Sequence, residues 1–147
     1  MKALFRACRQ GDLQSVQEWL PLSKDQPRLA GRVFREACVH EQFQIAEYAR
    51  ARGIDPHWYY TALWGSCRLG RLGAVRYLVS LGVDHRREED RAWRKACLKG
   101  QVPVMEYLFA LGVEDESVKQ ALRRYPELAD TIRSLCERRD LATSPTY

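Results

Sequence analysis

Five cysteines and three histidines are the side chains of this 147-residue chain best suited to chemistry, and four of the cysteines are regularly spaced. Cys8, Cys38, Cys67 and Cys97 follow one another at intervals of 30, 29 and 30 residues. A thiolate beside an imidazole could attack a carbonyl, paired thiols could bridge, and thiolates with imidazoles could hold zinc. Each use makes a demand the sequence does not meet. No Cys-x-x-Cys or Cys/His spacing of a zinc site occurs. His40, His57 and His85 fall in predicted turns and loops, away from cysteines expected to point inward. Equivalent positions of packed helices lie roughly 8–10 Å apart, beyond the ~7 Å between Cα atoms that a disulfide tolerates. Small apolar cysteine is commonly buried, so the four are read as core, and Cys136 is an extra thiol with no assigned partner. The glycines fall at turns and helix stops, not in a phosphate loop after a strand. The reading is therefore not an enzyme, with no catalytic residue, cofactor, metal or small-molecule substrate.

The regular spacing points to elements that repeat. Each cysteine follows a small residue, Ala7, Ala37, Ser66 or Ala96. Three residues before that stands a large apolar one, Leu4, Phe34, Leu63 or Trp93. This is the one-face spacing of a helix. Three residues after each cysteine comes Gly11, Glu41, Gly70 or Gly100, which marks a tight turn. A second stripe begins at Leu13, Phe43, Leu72 and Val102, continues at Val16, Ala46, Val75 and Met105, and ends at Trp19, Ala49, Leu78 and Leu108. Every unit reads as a helix-turn-helix pair. Gly53-Ile54-Asp55, Gly82-Val83-Asp84 and Gly112-Val113-Glu114 read as helix stops. The first unit stops at Pro21 and is followed by an irregular segment.

The pattern resembles the ankyrin repeat over about residues 2 to 114, most closely from Gly70 to Asp84, with Thr61-Ala62-Leu63-Trp64 where that family has Thr-Pro-Leu-His. The resemblance implies an all-α, ankyrin-like solenoid of stacked helix-turn-helix repeats. The family repeat is 33 residues, so the β-turn fingers are expected to be short or absent. Such shortened repeats are similar to those of ankyrin proteins of large DNA viruses and some intracellular bacteria. One domain is expected over 1–140, with repeats at about 2–30, 31–59, 60–89 and 90–118 and a C-terminal cap at 119–140. The closing helix of the cap would bury Leu128, Ile132 and Leu135 and keep Arg133, Arg138 and Arg139 wet. Residues 141–147 are expected to be a disordered tail.

Candidate binding residues come from two sources. The stretch from Asp55 to Thr61 places Trp58, Tyr59 and Tyr60 in a predicted finger loop, and such aromatics are enriched in interface hot spots. The plainer reading has two of the three folding back over the neighbouring helix, and Trp58 and Tyr59 are expected to be at least partly exposed. The resemblance implies partner contacts along the first helices, before each inter-helix turn and three residues before each cysteine. Carried over by position, these include Arg35, His40, Trp64, Arg68, Leu69, Arg94, Leu98 and Lys99. The mixed-sign run Arg86-Arg87-Glu88-Glu89-Asp90-Arg91 reads as a solvated loop and helix start. Arg123, Arg124, Arg138 and Arg139 could form a separate basic patch.

Composition bounds the function. The chain has 46% hydrophobic and 29% charged residues, an ordinary globular balance, and a formal net charge of +5. No stretch approaches the ~20 apolar residues of a membrane helix, and no signal-peptide pattern opens the chain. The expected location is intracellular and cytoplasmic, with the nucleus open, and no membrane partner. The expected function is a protein–protein interaction module that holds a partner protein of unknown identity, as an adaptor or as an inhibitor of a host or defence protein. The alternative is a basic nucleic-acid-binding accessory protein.

Overall fold

The computed structural model describes residues 2–143, with side chains through residue 141. The described residues form ten α-helices and two short 3-10 turns, with no strand. In chain order the helices are α1 (Lys2–Gln10), α2 (Leu13–Trp19), α3 (Gln26–Val39), α4 (Phe43–Ala51), α5 (His57–Leu69), α6 (Leu72–Ser80), α7 (Arg87–Leu98), α8 (Val102–Leu111), α9 (Asp115–Arg124) and α10 (Ala129–Thr143). The 3-10 turns are Leu20–Leu22 and Pro126–Leu128. The fold is all-α, as the periodicity predicts. First helices start at Gln26, His57, Arg87 and Asp115, a few residues ahead of the expected repeat boundaries. The closing helix runs on to Thr143, so residues 141–143 are helical where a tail was expected, and 144–147 lie outside the described residues.

One turn recurs four times and explains the spacing. The amides of Gly11, Glu41, Gly70 and Gly100 donate to the carbonyls of Cys8, Cys38, Cys67 and Cys97 at 3.0–3.4 Å. The next amides, of Asp12, Gln42, Arg71 and Gln101, reach the carbonyls of Ala7, Ala37, Ser66 and Ala96 at 2.8–2.9 Å. These two bonds define a Schellman stop, which requires a left-handed residue between them. The φ values are 77°, 57°, 74° and 63°. Glycine adopts that conformation freely, and Glu41 is the member of the set that does not. The following helix starts two residues on, so the cysteine, the stop and the second helix move as one block through the sequence.

The described residues form two compact units, 2–66 with 71–83, and 67–70 with 84–143. In the first unit α1 packs on α2 and α3, α2 on α4, and α3 on α4. Helix α5 joins α3 through Tyr59, whose ring meets the buried Phe34 edge-on at 5.0 Å. Helix α6 joins α4 through Tyr77, whose ring lies 4.8 Å from Phe43 and whose hydroxyl donates to Glu47. First helices thus pack on first helices and second on second. In the other unit the same order recurs, with α7 against α8 and α9, and α10 against α8 and α9. Trp93 is buried here, 6.1 Å from Phe109, as are Met105, Leu108, Ile132 and Leu135. Each such apolar side chain contributes about 1.5–3 kcal/mol when sealed from water.

Glutamine side chains cross-link neighbouring repeats within each unit. Gln42 Nε2 donates to the carbonyl of Arg9, and Gln101 Nε2 to that of Arg68, both at 3.1 Å. Each satisfies a carbonyl left open at a first-helix end. A Cβ added to Gly70 would come within 2.3 Å of Gln101 Oε1, so the glycine also makes room for the link.

The first repeat departs from the expected stripe. Helix α2 gives way to a 3-10 turn at Leu20, and this rotation buries Leu20 completely while Trp19 is 39% exposed. The expected irregular segment is short, because α3 begins at Gln26 with Pro27 in its first turn, where a missing N–H costs nothing.

Candidate binding surface

The thiols are sealed. Cys8, Cys38, Cys67 and Cys97 are buried and unbridged. Burial pushes Cys8, Cys67 and Cys97 up to about 12, and Cys38 moves in the same direction for the same reason, with Glu47 adding to it. A thiol held protonated is a poor nucleophile and a poor metal ligand. Among the described residues no group of three or more histidine, cysteine or acidic side chains is placed to hold a metal ion.

The aromatic stretch is not a finger loop. Trp58, Tyr59 and Tyr60 form the first turn of α5, and all three are half-buried. Asp55 starts this helix, its Oδ1 accepting from the His57 amide at 2.9 Å, with Pro56 between them. Asp84 repeats the device on the Arg86 amide at 2.9 Å. Once the segment is helical, Trp58 and Tyr59 turn onto α3. The Trp58 indole lies against Gly31, where a Cβ would come within 2.1 Å of its Nε1, and the Arg35 guanidinium sits 5.7 Å from the Trp58 ring. Tyr60 stacks toward Trp64, also half-buried, at 5.9 Å. Trp58 and Tyr59 thus join α5 to α3 while staying partly exposed, and the segment is a helix start in place of the expected finger loop. His40 caps the end of α3, with Nδ1 3.0 Å from the Glu36 carbonyl, while Arg9 Nη1 donates to the Glu36 carboxylate at 3.2 Å.

The remaining predicted residues belong to the second unit and are open to solvent. Arg68, Leu69, Arg94, Leu98 and Lys99 are all exposed, Leu69 at 53% and Leu98 at 46%. Arg94 and Leu98 line a cleft of about 600 Å³ between α7 and α9. Arg91 and Lys95 line it from α7, and Arg123, Arg124 and Tyr125 from α9 and its end. No carboxylate lines it. Spacing of three and four along α7 puts Arg91, Arg94, Lys95 and Leu98 on one face, opposite the buried Trp93 and Ala96.

Three of the five cations are tethered. Arg91 Nη1 donates to Glu88 at 2.7 Å, Arg94 Nη2 to the Glu88 carbonyl at 2.9 Å, and Arg123 Nη2 to Glu116 at 3.0 Å. Lys95 and Arg124 have no carboxylate partner among the described residues, and Arg124 lies 5.9 Å from the Tyr125 ring.

The run from Arg86 to Arg91 is also more than a solvated loop. Glu88, Glu89 and Asp90 take left-handed φ values of 57–58°, and Asp90 is buried. Its Oδ2 accepts from the Glu114 amide at 2.9 Å and the Ser117 hydroxyl at 2.8 Å, with Arg86 Nε 3.6 Å from Oδ1. Asp90 therefore holds the start of α9 beside α7 and sets the cleft's width. The binding residues expected from sequence do not include Arg91, Lys95 or Tyr125, and Arg123 and Arg124 were expected in a separate basic patch, whereas they face α7 across this cleft. The helical spacing of the α7 cations was available to find them, whereas the approach of α9 was not. A smaller basic cleft, about 440 Å³, lies between α1 and α3 in the first unit, lined by Lys2, Phe5, Arg6, Arg32 and Arg35 among others, with Arg32 4.7 Å from the Phe5 ring.

Comparison with family models, with curated proteins and with solved structures gives no match. No helix of the described residues is long and apolar enough to cross a membrane.

Proposed function

We propose that this chain is a non-catalytic module that binds a partner protein through the exposed face of its first helices, as an ankyrin-like stack of shortened repeats. The observation that carries the reading is the cleft between α7 and α9, where five cations, Lys95 and Arg124 among them without a carboxylate partner in the described residues, meet the exposed Leu98. A single exposed leucine is ordinary on a protein surface, and it is the placing of Leu98 among cations in a cleft lined by no carboxylate that singles out this face. The recurring turn and the packing of first helix on first helix within each unit support the ankyrin-like part. Sealed thiols support the non-catalytic part. Such a surface suits an adaptor, or an inhibitor that covers part of a host or defence protein.

The test is affinity purification from the native cell with the full chain and a Leu98→Asp, Arg94→Glu variant. The reading expects a co-purifying protein that the variant loses while its helical circular dichroism is unchanged. Equal recovery by both chains refutes the assignment of the face.

A further inference from the structure

We infer that the cleft between α7 and α9 takes an acidic peptide segment of the partner, with carboxylates on its arginines and an apolar side chain on Leu98; this rests on the binding reading above. Three features select the occupant. The cleft presents five cations and no carboxylate of its own, and two of the five, Lys95 and Arg124, have no carboxylate partner among the described residues. Its volume of about 600 Å³ lies within the range of small-ligand sites, room for a few peptide side chains and not for a folded surface. Leu98 is about half exposed within it, with Ala121 and Tyr125 also lining it, so an apolar contact is offered between the charges.

The same features distinguish a peptide from a nucleic acid. A phosphate chain needs successive cations along its path. Here Glu88 and Glu116, just outside the cleft, hold Arg91 and Arg123, so a continuing polyanion would meet carboxylates beyond the cations. A phosphate backbone also makes no use of Leu98. A carboxylate accepts the paired N–H groups of a guanidinium in a matching planar fork, and the adjoining apolar residue of a peptide covers the leucine.

Fluorescence anisotropy of the full chain with a labelled Glu-Glu-Leu-Glu-Glu-Leu-Glu-Glu peptide tests this at physiological salt. Controls are the same peptide with glutamine for glutamate and a labelled oligothymidylate. The glutamate peptide should bind at least about tenfold tighter than the glutamine peptide, the oligothymidylate should bind more weakly than the glutamate peptide, and Arg94→Glu with Arg124→Glu should weaken the glutamate peptide by about tenfold or more. Leu98→Ala should weaken it a few-fold. Lys2→Glu with Arg6→Glu makes the same change in net charge in the first unit and should have little effect. Circular dichroism of each variant checks the fold. Equal binding of the two peptides, or equal losses from the two charge-reversal pairs, overturns the inference. Tighter binding of oligothymidylate assigns the cleft to nucleic acid and overturns it as well. If the peptide fails while the co-purifying protein is still lost by the Leu98→Asp, Arg94→Glu variant, the acidic segment is refuted and the binding face stands. If that protein is also retained, both fall.

Discussion

Raising the pH from about 7.5 to about 10 is expected to destabilise this fold severely, because four repeat thiols keep their protons when folded and release them when unfolded. Cys8, Cys67 and Cys97 are pushed from 9.0 up to about 12, chiefly by burial, and Cys38 is shifted upward as well. A group whose folded value lies above its unfolded one supports the native state fully below the unfolded value and loses that support as pH rises toward the folded one. At about pH 10 an unfolded thiol of this kind is about nine-tenths ionised, which lowers the free energy of the unfolded chain by about 1.4 kcal/mol. Four of them together give about 6 kcal/mol, against the roughly 5–15 kcal/mol that holds a small domain folded. Tyr77, raised by burial and by its bond to Glu47, pulls in the same direction at higher pH.

The assay is urea unfolding followed by far-ultraviolet circular dichroism at several pH values. The midpoint should fall steadily above about pH 9 at constant slope, since the surface exposed on unfolding is unchanged. Replacing one thiol isolates the cause. Cys67→Ala fits beside the buried Ser66 and Leu63, and its alkaline loss should be smaller by about a quarter, a difference near 1.4 kcal/mol at about pH 10. A midpoint flat to pH 10, or an identical decline in Cys67→Ala, refutes the sealed-thiol account.

Two further perturbations test the turn and the helix link. Glu41→Gly should raise stability by about 1 kcal/mol by removing a left-handed non-glycine residue, and Gly70→Ala should lower it by more than about 1 kcal/mol, since its φ of 74° is disfavoured for alanine and the new Cβ meets Gln101. Urea midpoints measure both, and opposite signs are required. Asp90→Ala should cost about 2–3 kcal/mol by leaving the Glu114 amide and Ser117 hydroxyl without their buried acceptor. Hydrogen exchange should then show the first turn of α9 opening ahead of the rest of its unit.

The periodic parts of this protein are legible in sequence because one local turn imposes them. The apolar residue at Leu4, Phe34, Leu63 and Trp93 is buried every time, and Gly53, Gly82 and Gly112 each take a positive φ at a helix end. What escaped depends on pairs far apart in the chain. The Gln42 and Gln101 links join residues 33 positions apart, and no local pattern announces them. Asp90 looks solvated within its charged run, and becomes buried through partners 24 and 27 residues away. The aromatic finger failed for a local reason. Asp55-Pro56 is a helix start signal that the three aromatics overshadowed, and a helix begun at His57 turns Trp58 and Tyr59 onto α3.

The distribution of charge along the first helices bears on the kind of partner. In the register set by the cysteines, the positions six, three and two before each carry Lys2, Phe5 and Arg6 in α1, Arg32, Arg35 and Glu36 in α3, and Arg91, Arg94 and Lys95 in α7. In α5 the same positions carry Thr61, Trp64 and Gly65, with no cation. Packing does not demand this, since these positions are half-buried or exposed in every first helix. Cations at these positions thus gather in two patches, one in each unit, interrupted in sequence by a helix whose single cation, Arg68, lies outside this register. An uninterrupted row of cations would favour a polyanion that follows it, with affinity falling steeply as salt rises. Discrete patches, one of them folded around Leu98, favour recognition of short acidic segments, where a few charges fix the register and an apolar contact discriminates between sequences.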